Sequence, residues 1–149
     1  MQRAIDRRQV LQRCACAAFG GVALAWSRYA AAADAPTEPV AMLPKEVAPG
    51  CWYVEGLSAL GSPANQNFIS NAGFVVTSDS VVVIDALGSP ALAERLLAEI
   101  AKITPKKVSH VIVTHYHADH VYGLQVFQKA GAKIIAHQAG REYLFSDTA

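Results

Sequence analysis

From Cys51 onward, short apolar runs alternate with polar, turn-rich breaks, and the spacing within each run predicts an element. Trp52 to Glu55 reads as a first strand, followed by the turn-rich stretch Gly61 to Asn67 with S-P-A-N-Q-N at its heart. Ile69 to Thr77 and Val81 to Ala86 read as two strands joined through Ser78-Asp79-Ser80, a hairpin signal. The run Val81-Val82-Val83-Ile84 is apolar without alternation, the pattern of a strand covered on both faces. A helix follows. Ser89 can cap it, and Pro90 suits its first position. Leu92, Leu96, Ile100 and Ile103 recur at steps of four, four and three, which lays one apolar stripe toward a sheet before Thr104-Pro105 ends the helix. Val108 to Thr114 predicts another buried strand. Val121, Leu124 and Phe127 predict a short helix closed by Gly131, Ile134 to Ala136 a further strand, and Gln138 to Phe145 the start of another helix. The order is strand-rich at first and then strictly alternates strand and helix. That argues for an α/β layer, and such sheets place ligands in the loops that leave the carboxyl ends of their strands.

Ahead of these elements the rhythm is lost. Residues 34–50 carry four prolines and no periodicity, which reads as an extended linker. Residues 1–33 read as an export signal. Arg7 and Arg8 open D-R-R-Q-V-L-Q, which resembles the twin-arginine signal of bacteria. A mild apolar segment runs from Cys14 to Trp26, and small residues follow at Ala31 and Ala33, the spacing a signal peptidase reads. Cleavage after Ala33 is preferred, because a cut after Ala35 would leave Pro36 just past the scissile bond. No run of 18 or more apolar residues occurs. The expected location is therefore periplasmic or secreted, with no stable membrane anchor once the signal is removed.

Charge sharpens this picture. Of 13 basic residues five precede residue 34, against one acid, Asp6. From Asp34 onward 8 basic and 11 acidic residues leave a net charge of −3, which gives no support for nucleic-acid binding. A composition of 52% hydrophobic and 17% charged residues is that of a globular chain, and 149 residues predict about one domain, running from residue 51 to 149. Cys14 and Cys16 leave with the signal, so Cys51 remains alone, can form no internal disulfide, and reads as a small packing residue.

The candidate chemistry is concentrated in T-H-Y-H-A-D-H-V-Y-G, Thr114 to Gly123, which begins where the Val108–Thr114 strand ends. His115 and His117 are two apart in an extended segment, so both project to one side and can reach one ion. Asp119 and His120 follow where the chain turns into a helix and aim at a second point close by. Imidazole nitrogen and carboxylate oxygen are both good zinc donors, and two neighbouring ions can hold a hydroxide and polarise a carbonyl or phosphoryl oxygen. His110, inside its strand, reads as a packing residue. His137, at the end of Ile134–Ala136, reads as structural or as a brace near the metal loop.

T-H-Y-H-A-D-H, after a strand ending V-V-V-I-D-A, resembles the metallo-β-lactamase fold superfamily, whose hallmark is His-x-His-x-Asp-His. The similarity covers roughly Cys51 to Ser146. It implies that His115 and His117 bind a first zinc and that Asp119 and His120 bind a second. Asp119 would be a ligand first and a catalytic proton acceptor second, and Asp85 would brace the metal loop by hydrogen bonds. The implied fold is a four-layer αββα sandwich, of which this chain supplies the N-terminal half. The implied activity is zinc-dependent hydrolysis of a small-molecule ester, thioester, lactam or phosphodiester by a metal-bound hydroxide. N-Q-N-F-I-S-N-A-G-F-V-V together with H-Y-H-A-D-H-V-Y-G is most similar to exported zinc metallohydrolases linked to quinoprotein or sulfur-oxidation gene sets. Flavin-linked di-iron relatives carry glutamate where His117 stands, and zinc β-lactamases of two subclasses carry cysteine or arginine where His120 stands. Hydroxyacylglutathione hydrolases share the Asp-His pair.

The resemblance also implies three ligands downstream: a histidine, a bridging aspartate and a last histidine. After His120 only His137 and Asp147 remain as candidates, and neither has the expected context. The expectation is a domain cut on its C-terminal side, inactive by itself, with the inner apolar face of its sheet open. The alternative is a non-catalytic metal- or partner-binding half-domain that docks with a second chain completing it.

Overall fold

The computed structural model describes residues 39–140. The export signal with Arg7 and Arg8, the first part of the linker and most of the helix expected from Gln138 to Phe145 lie outside the described residues. Among the described residues the elements are β1 (Lys45–Ala48), β2 (Cys51–Val54), β3 (Ala72–Val76), β4 (Val81–Ile84), α1 (Pro90–Ile103), β5 (Val108–Ile112), α2 (Ala118–Val121), α3 (Leu124–Lys129) and β6 (Lys133–Ile135). The strands form one mixed sheet in sequence order. β1 to β4 pair antiparallel, and β4, β5 and β6 run parallel, with α1 and then α2–α3 in the crossovers. No helix among the described residues is long and apolar enough to cross a membrane.

The register places Trp52, Phe74, Val83, Val111 and Ile134 in one row across five strands. Phe74, Val83 and Val111 are fully buried, and Trp52 stacks on Phe74 with ring centroids 6.1 Å apart. Such an aromatic pair adds about 0.5–1.5 kcal/mol beyond its area burial. α1 covers this row with Leu92, Ala93, Leu96 and Ile100, and Phe127 of α3 joins the same core. Each buried leucine, isoleucine or phenylalanine contributes about 1.5–3 kcal/mol. The helix starts where the sequence places it. Ser89 is extended, and its side-chain oxygen accepts from the Leu92 N–H at 3.2 Å, with Pro90 next in line. Its end is set by Thr104, whose N–H makes the last turn's bond to the Ile100 carbonyl.

Three expectations are corrected. Residues 45–48, read as linker, form the edge strand β1, and Met42 just before it is buried in the core. All four β1 residues are exposed, so no apolar alternation marks the strand. Its cause is the ladder to β2 and the turn at Gly50, whose φ of +73° suits glycine and whose N–H donates to the Glu46 carboxylate at 2.9 Å. β4, read as covered on both faces, alternates between buried and half-buried residues, because the described helices cover one face. The adjoining row on the other face is Tyr53, Gly73, Ile84, Ile112 and Ile135, of which Ile112 is 40% and Ile135 49% exposed. The single helix expected around Val121, Leu124 and Phe127 is two. The Gly123 N–H leaves the helical ladder to donate to the Leu87 carbonyl at 3.2 Å, which breaks the helix between α2 and α3.

Candidate metal centre

The site is built where the parallel strands end. Asp85 is the first residue past β4 and is 4% exposed. Its φ is +63°, a left-handed conformation that aspartate tolerates better than most side chains. Leu87, fully buried, has φ +65°, which is more costly for a residue of its shape. Surrounding bonds hold this turn in place. The Ala86 N–H donates to the His120 carbonyl at 2.8 Å, and the Leu87 carbonyl accepts from Gly123. Only glycine fits at 123, since a Cβ there would lie 2.0 Å from the Ala86 carbonyl oxygen and 2.7 Å from the Ala93 Cβ.

Asp85 organises the histidines. Its Oδ1 accepts from the Thr114 N–H at 2.8 Å, and its Oδ2 accepts from the Thr114 hydroxyl at 2.7 Å. The same Oδ2 lies 2.8 Å from His120 Nδ1. A carboxylate can only accept, so His120 Nδ1 carries a proton, and in the neutral ring Nε2 is left with a lone pair. The Thr114 hydroxyl has a single proton, and it is committed to Asp85. His115 Nδ1, 2.9 Å from that hydroxyl, must therefore donate to it, which frees His115 Nε2 in the same way. One buried carboxylate thus sets the tautomer of two histidines, one directly and one through a threonine.

The rings converge. His115 lies with its centroid 4.1 Å from His120 and 4.6 Å from His117. Asp119 Oδ2 stands 3.4 Å from His120 Nε2. With the ring proton on Nδ1, these are two acceptors facing each other, an arrangement that calls for a positive charge, either a second proton on the ring or a cation. Among the described residues no lysine or arginine pairs with Asp85 or Asp119. Three imidazoles and two carboxylates without a basic partner are a donor set that fits a divalent metal.

Among the described residues one group that could hold an ion is Asp85, His115 and His120, with ligand atoms within 4.8 Å of one another; His117 and Asp119 are not part of it. Both oxygens of Asp85 are already engaged by Thr114 and His120. His117 opens α2 at the N-cap position without a side-chain capping bond. A cavity of 830 Å³ lined by Thr114, His115, Tyr116 and His137 lies on one side, and one of 400 Å³ lined by Glu55, Ser70, Asn71, Asp119 and His120 on the other. His137 therefore borders the same space as His115, with its Nδ1 accepting from the Ala139 N–H at 3.2 Å. His110 packs within β5, its Nδ1 3.0 Å from the Ser109 hydroxyl, and Cys51 is half-buried in β2.

Sequence reasoning missed Thr114, Ser70 and Gly123. Thr114 stands immediately before the first histidine, and its position was the available signal. Ser70, whose hydroxyl donates to the Asp119 carbonyl, reaches the site from 49 residues away and left none.

Comparison with known proteins agrees with this geometry. The chain is 41% identical over 66 residues to a metallo-beta-lactamase type 2 of Elizabethkingia meningoseptica, a match covering 44% of this chain and 26% of that protein. It is 31% identical over 74 residues to the metallo-beta-lactamase type 2 of Bacillus cereus, covering 50% and 29%. The chain thus spans between a quarter and a third of the length of these relatives. The solved structure of a metallo beta lactamase from Erythrobacter litoralis, with beta mercaptoethanol in its active site, superposes with a TM-score of 0.55 at 22% identity. It covers 67% of this chain and 43% of that one, and it shows a shared fold. The sequence model described as the metallo-beta-lactamase superfamily matches residues 66–149, more than half of the chain. The protein belongs to the metallo-beta-lactamase superfamily.

Proposed function

We propose that the protein is a zinc-dependent hydrolase whose metal centre is formed by His115, His117, Asp119 and His120. The observation that carries this reading is the pair of histidines, His115 and His120, whose Nδ1 atoms are engaged by Thr114 and Asp85 so that Nε2 of each is the nitrogen available to a metal, beside the Asp119 carboxylate. Nitrogen and oxygen donors without thiolate suit zinc. When bound, zinc supplies Lewis acidity that lowers the pKa of water toward neutrality and polarises a carbonyl or phosphoryl oxygen. The remaining work belongs to the chain. Asp85 and Thr114 fix the ring orientations, and Asp119 Oδ2 is placed to take up a proton from an attacking water. The bond cleaved is an ester, thioester, lactam or phosphodiester of a small molecule. The centre serves as the metal-holding part of the whole protein's active site.

Asp119→Asn in the full-length protein tests this. The substitution keeps the shape and removes the charge that offsets the metal. Part of the bound zinc is expected to be lost while the remainder stays on His115 and His117, and the hydrolytic rate should fall by about 10²–10⁴, the usual worth of a placed proton acceptor. Elemental analysis and turnover of a panel of the four substrate types read the result; unchanged zinc content with unchanged rates would refute the assignment.

The location follows from the first residues. Arg7 and Arg8 direct the folded precursor to the periplasm through a twin-arginine route. Changing both to lysine should strand the precursor in the cytoplasm. Processed periplasmic protein at normal levels in that variant would show that another route carries it.

A further inference from the structure

We infer that Ser70 is a positioning residue for the metal centre: its hydroxyl holds the main chain of Asp119, and so sets the carboxylate that completes the ligand set. The inference rests on the reading of the cluster as a metal centre given above.

α2 is a single turn of four residues, too short to hold its own shape. Its ligands must be oriented by tethers from elsewhere. His120 has one, through Nδ1 to Asp85. Asp119 needs another, because its backbone carbonyl has lost its helical partner. In a continuing helix the Gly123 N–H would donate to that carbonyl, but here it donates to Leu87. The Ser70 hydroxyl takes its place as donor to the Asp119 carbonyl, across 49 residues of sequence. Ser70 is 6% exposed, so the bond is shielded from water.

The tether is itself held. Gly56 lies so close to Ser70 that a Cβ there would come within 2.4 Å of the Ser70 carbonyl oxygen and 2.6 Å of its nitrogen. The Gly56 N–H also donates to the neighbouring Asn71 side chain at 2.9 Å. On another side of Asp119, Gly88 approaches closely enough that a Cβ would stand 3.3 Å from the Asp119 Cα. Asp119 is therefore fixed between the segment that enters β3 and the turn that leaves β4. Ser70 supplies the directional bond in that contact, and both residues border the 400 Å³ cavity.

The test compares wild-type, Asp119→Ala, Ser70→Ala and Ser70→Thr forms of the full-length protein. Zinc content is measured by equilibrium dialysis with elemental analysis, and cobalt(II) substitution reports ligand geometry by absorption. Ser70→Ala is expected to weaken, by about 10–100-fold, the same fraction of zinc that Asp119→Ala loses, with the remaining zinc held as in wild type. Its cobalt spectrum should shift, and Ser70→Thr, which restores the hydroxyl, should recover most of the affinity. Ser70→Cys, a weak donor of similar volume, should fall between the two and serves if the alanine variant does not fold. The inference is overturned if Asp119→Ala loses zinc while Ser70→Ala binds as wild type. It is equally overturned if Ser70→Ala weakens all zinc alike and threonine fails to rescue it, which marks a merely structural role. If wild type binds no zinc, or Asp119→Ala binds as well as wild type, the reading of the metal centre fails instead.

Discussion

In the full-length protein, replacing His115 and His117 together with alanine is expected to remove most of the bound zinc and all measurable hydrolysis. His115 lies at the middle of the cluster, 4.6 Å from one ring and 4.1 Å from another, so its loss opens the centre to water on both sides. His117 removes a second nitrogen donor from the same side. The survivors, Asp119 and His120, offer only two donors from this segment, fewer than the three protein ligands that catalytic zinc sites use. The fold should be little affected. Both histidines are exposed, and His117 at the N-cap of α2 makes no side-chain capping bond, so the change in stability should be no more than about 0.5 kcal/mol at each. The double variant therefore separates metal binding from folding. Elemental analysis after dialysis, alongside a thermal melt of the metal-free protein, reads both. Unchanged zinc in a folded double variant would remove the cluster from consideration as the metal centre.

Asp85 carries the second large effect, and it can be divided into two. Asp85→Ala deletes a buried acceptor of three hydrogen bonds from Thr114 and His120. Bonds to a charged partner contribute about 1.5–3 kcal/mol each. Alanine must also adopt a φ of +63°, at a further cost of about 1–2 kcal/mol. A loss of several kcal/mol is a large part of a domain's stability, on the order of 5–15 kcal/mol, so this variant should be marginally folded at best. Asp85→Asn is the informative one. It keeps the shape and tolerates the left-handed backbone, but its amide presents one acceptor in place of two. If the carbonyl stays on the Thr114 N–H, the amide nitrogen faces His120 Nδ1 and requires that atom to accept. The ring proton then moves to Nε2, the nitrogen an ion needs. Zinc affinity should fall by about 10–100-fold in a protein that still folds. Nitrogen-15 chemical shifts of His120 in the metal-free protein check the cause: a ring still protonated at Nδ1 in Asp85→Asn would contradict the tautomer argument even if zinc were lost.

What the sequence determined is what depends on near neighbours along the chain. The strand runs at Val81–Ile84 and Val108–Ile112 follow from apolar β-branched residues. α1 follows from Ser89, Pro90 and a stripe at helical spacing. The four candidate ligands follow from their crowding into His115 to His120, just past a strand end. The family was legible for the same reason, since its hallmark is one continuous motif.

Tertiary structure decided whatever depends on partners far away. β1 is a strand because β2 offers it a ladder, and nothing in K-E-V-A announces one. α2 and α3 separate because Gly123 donates to Leu87, which only the folded β4–α1 turn brings near. Thr114 and Ser70 take their roles from Asp85, 29 residues before Thr114, and from Asp119, 49 residues after Ser70. A hydroxyl reads the same in any sequence. Which oxygen or nitrogen it meets is a property of packing, and that choice turned four metal-type residues into an ordered centre.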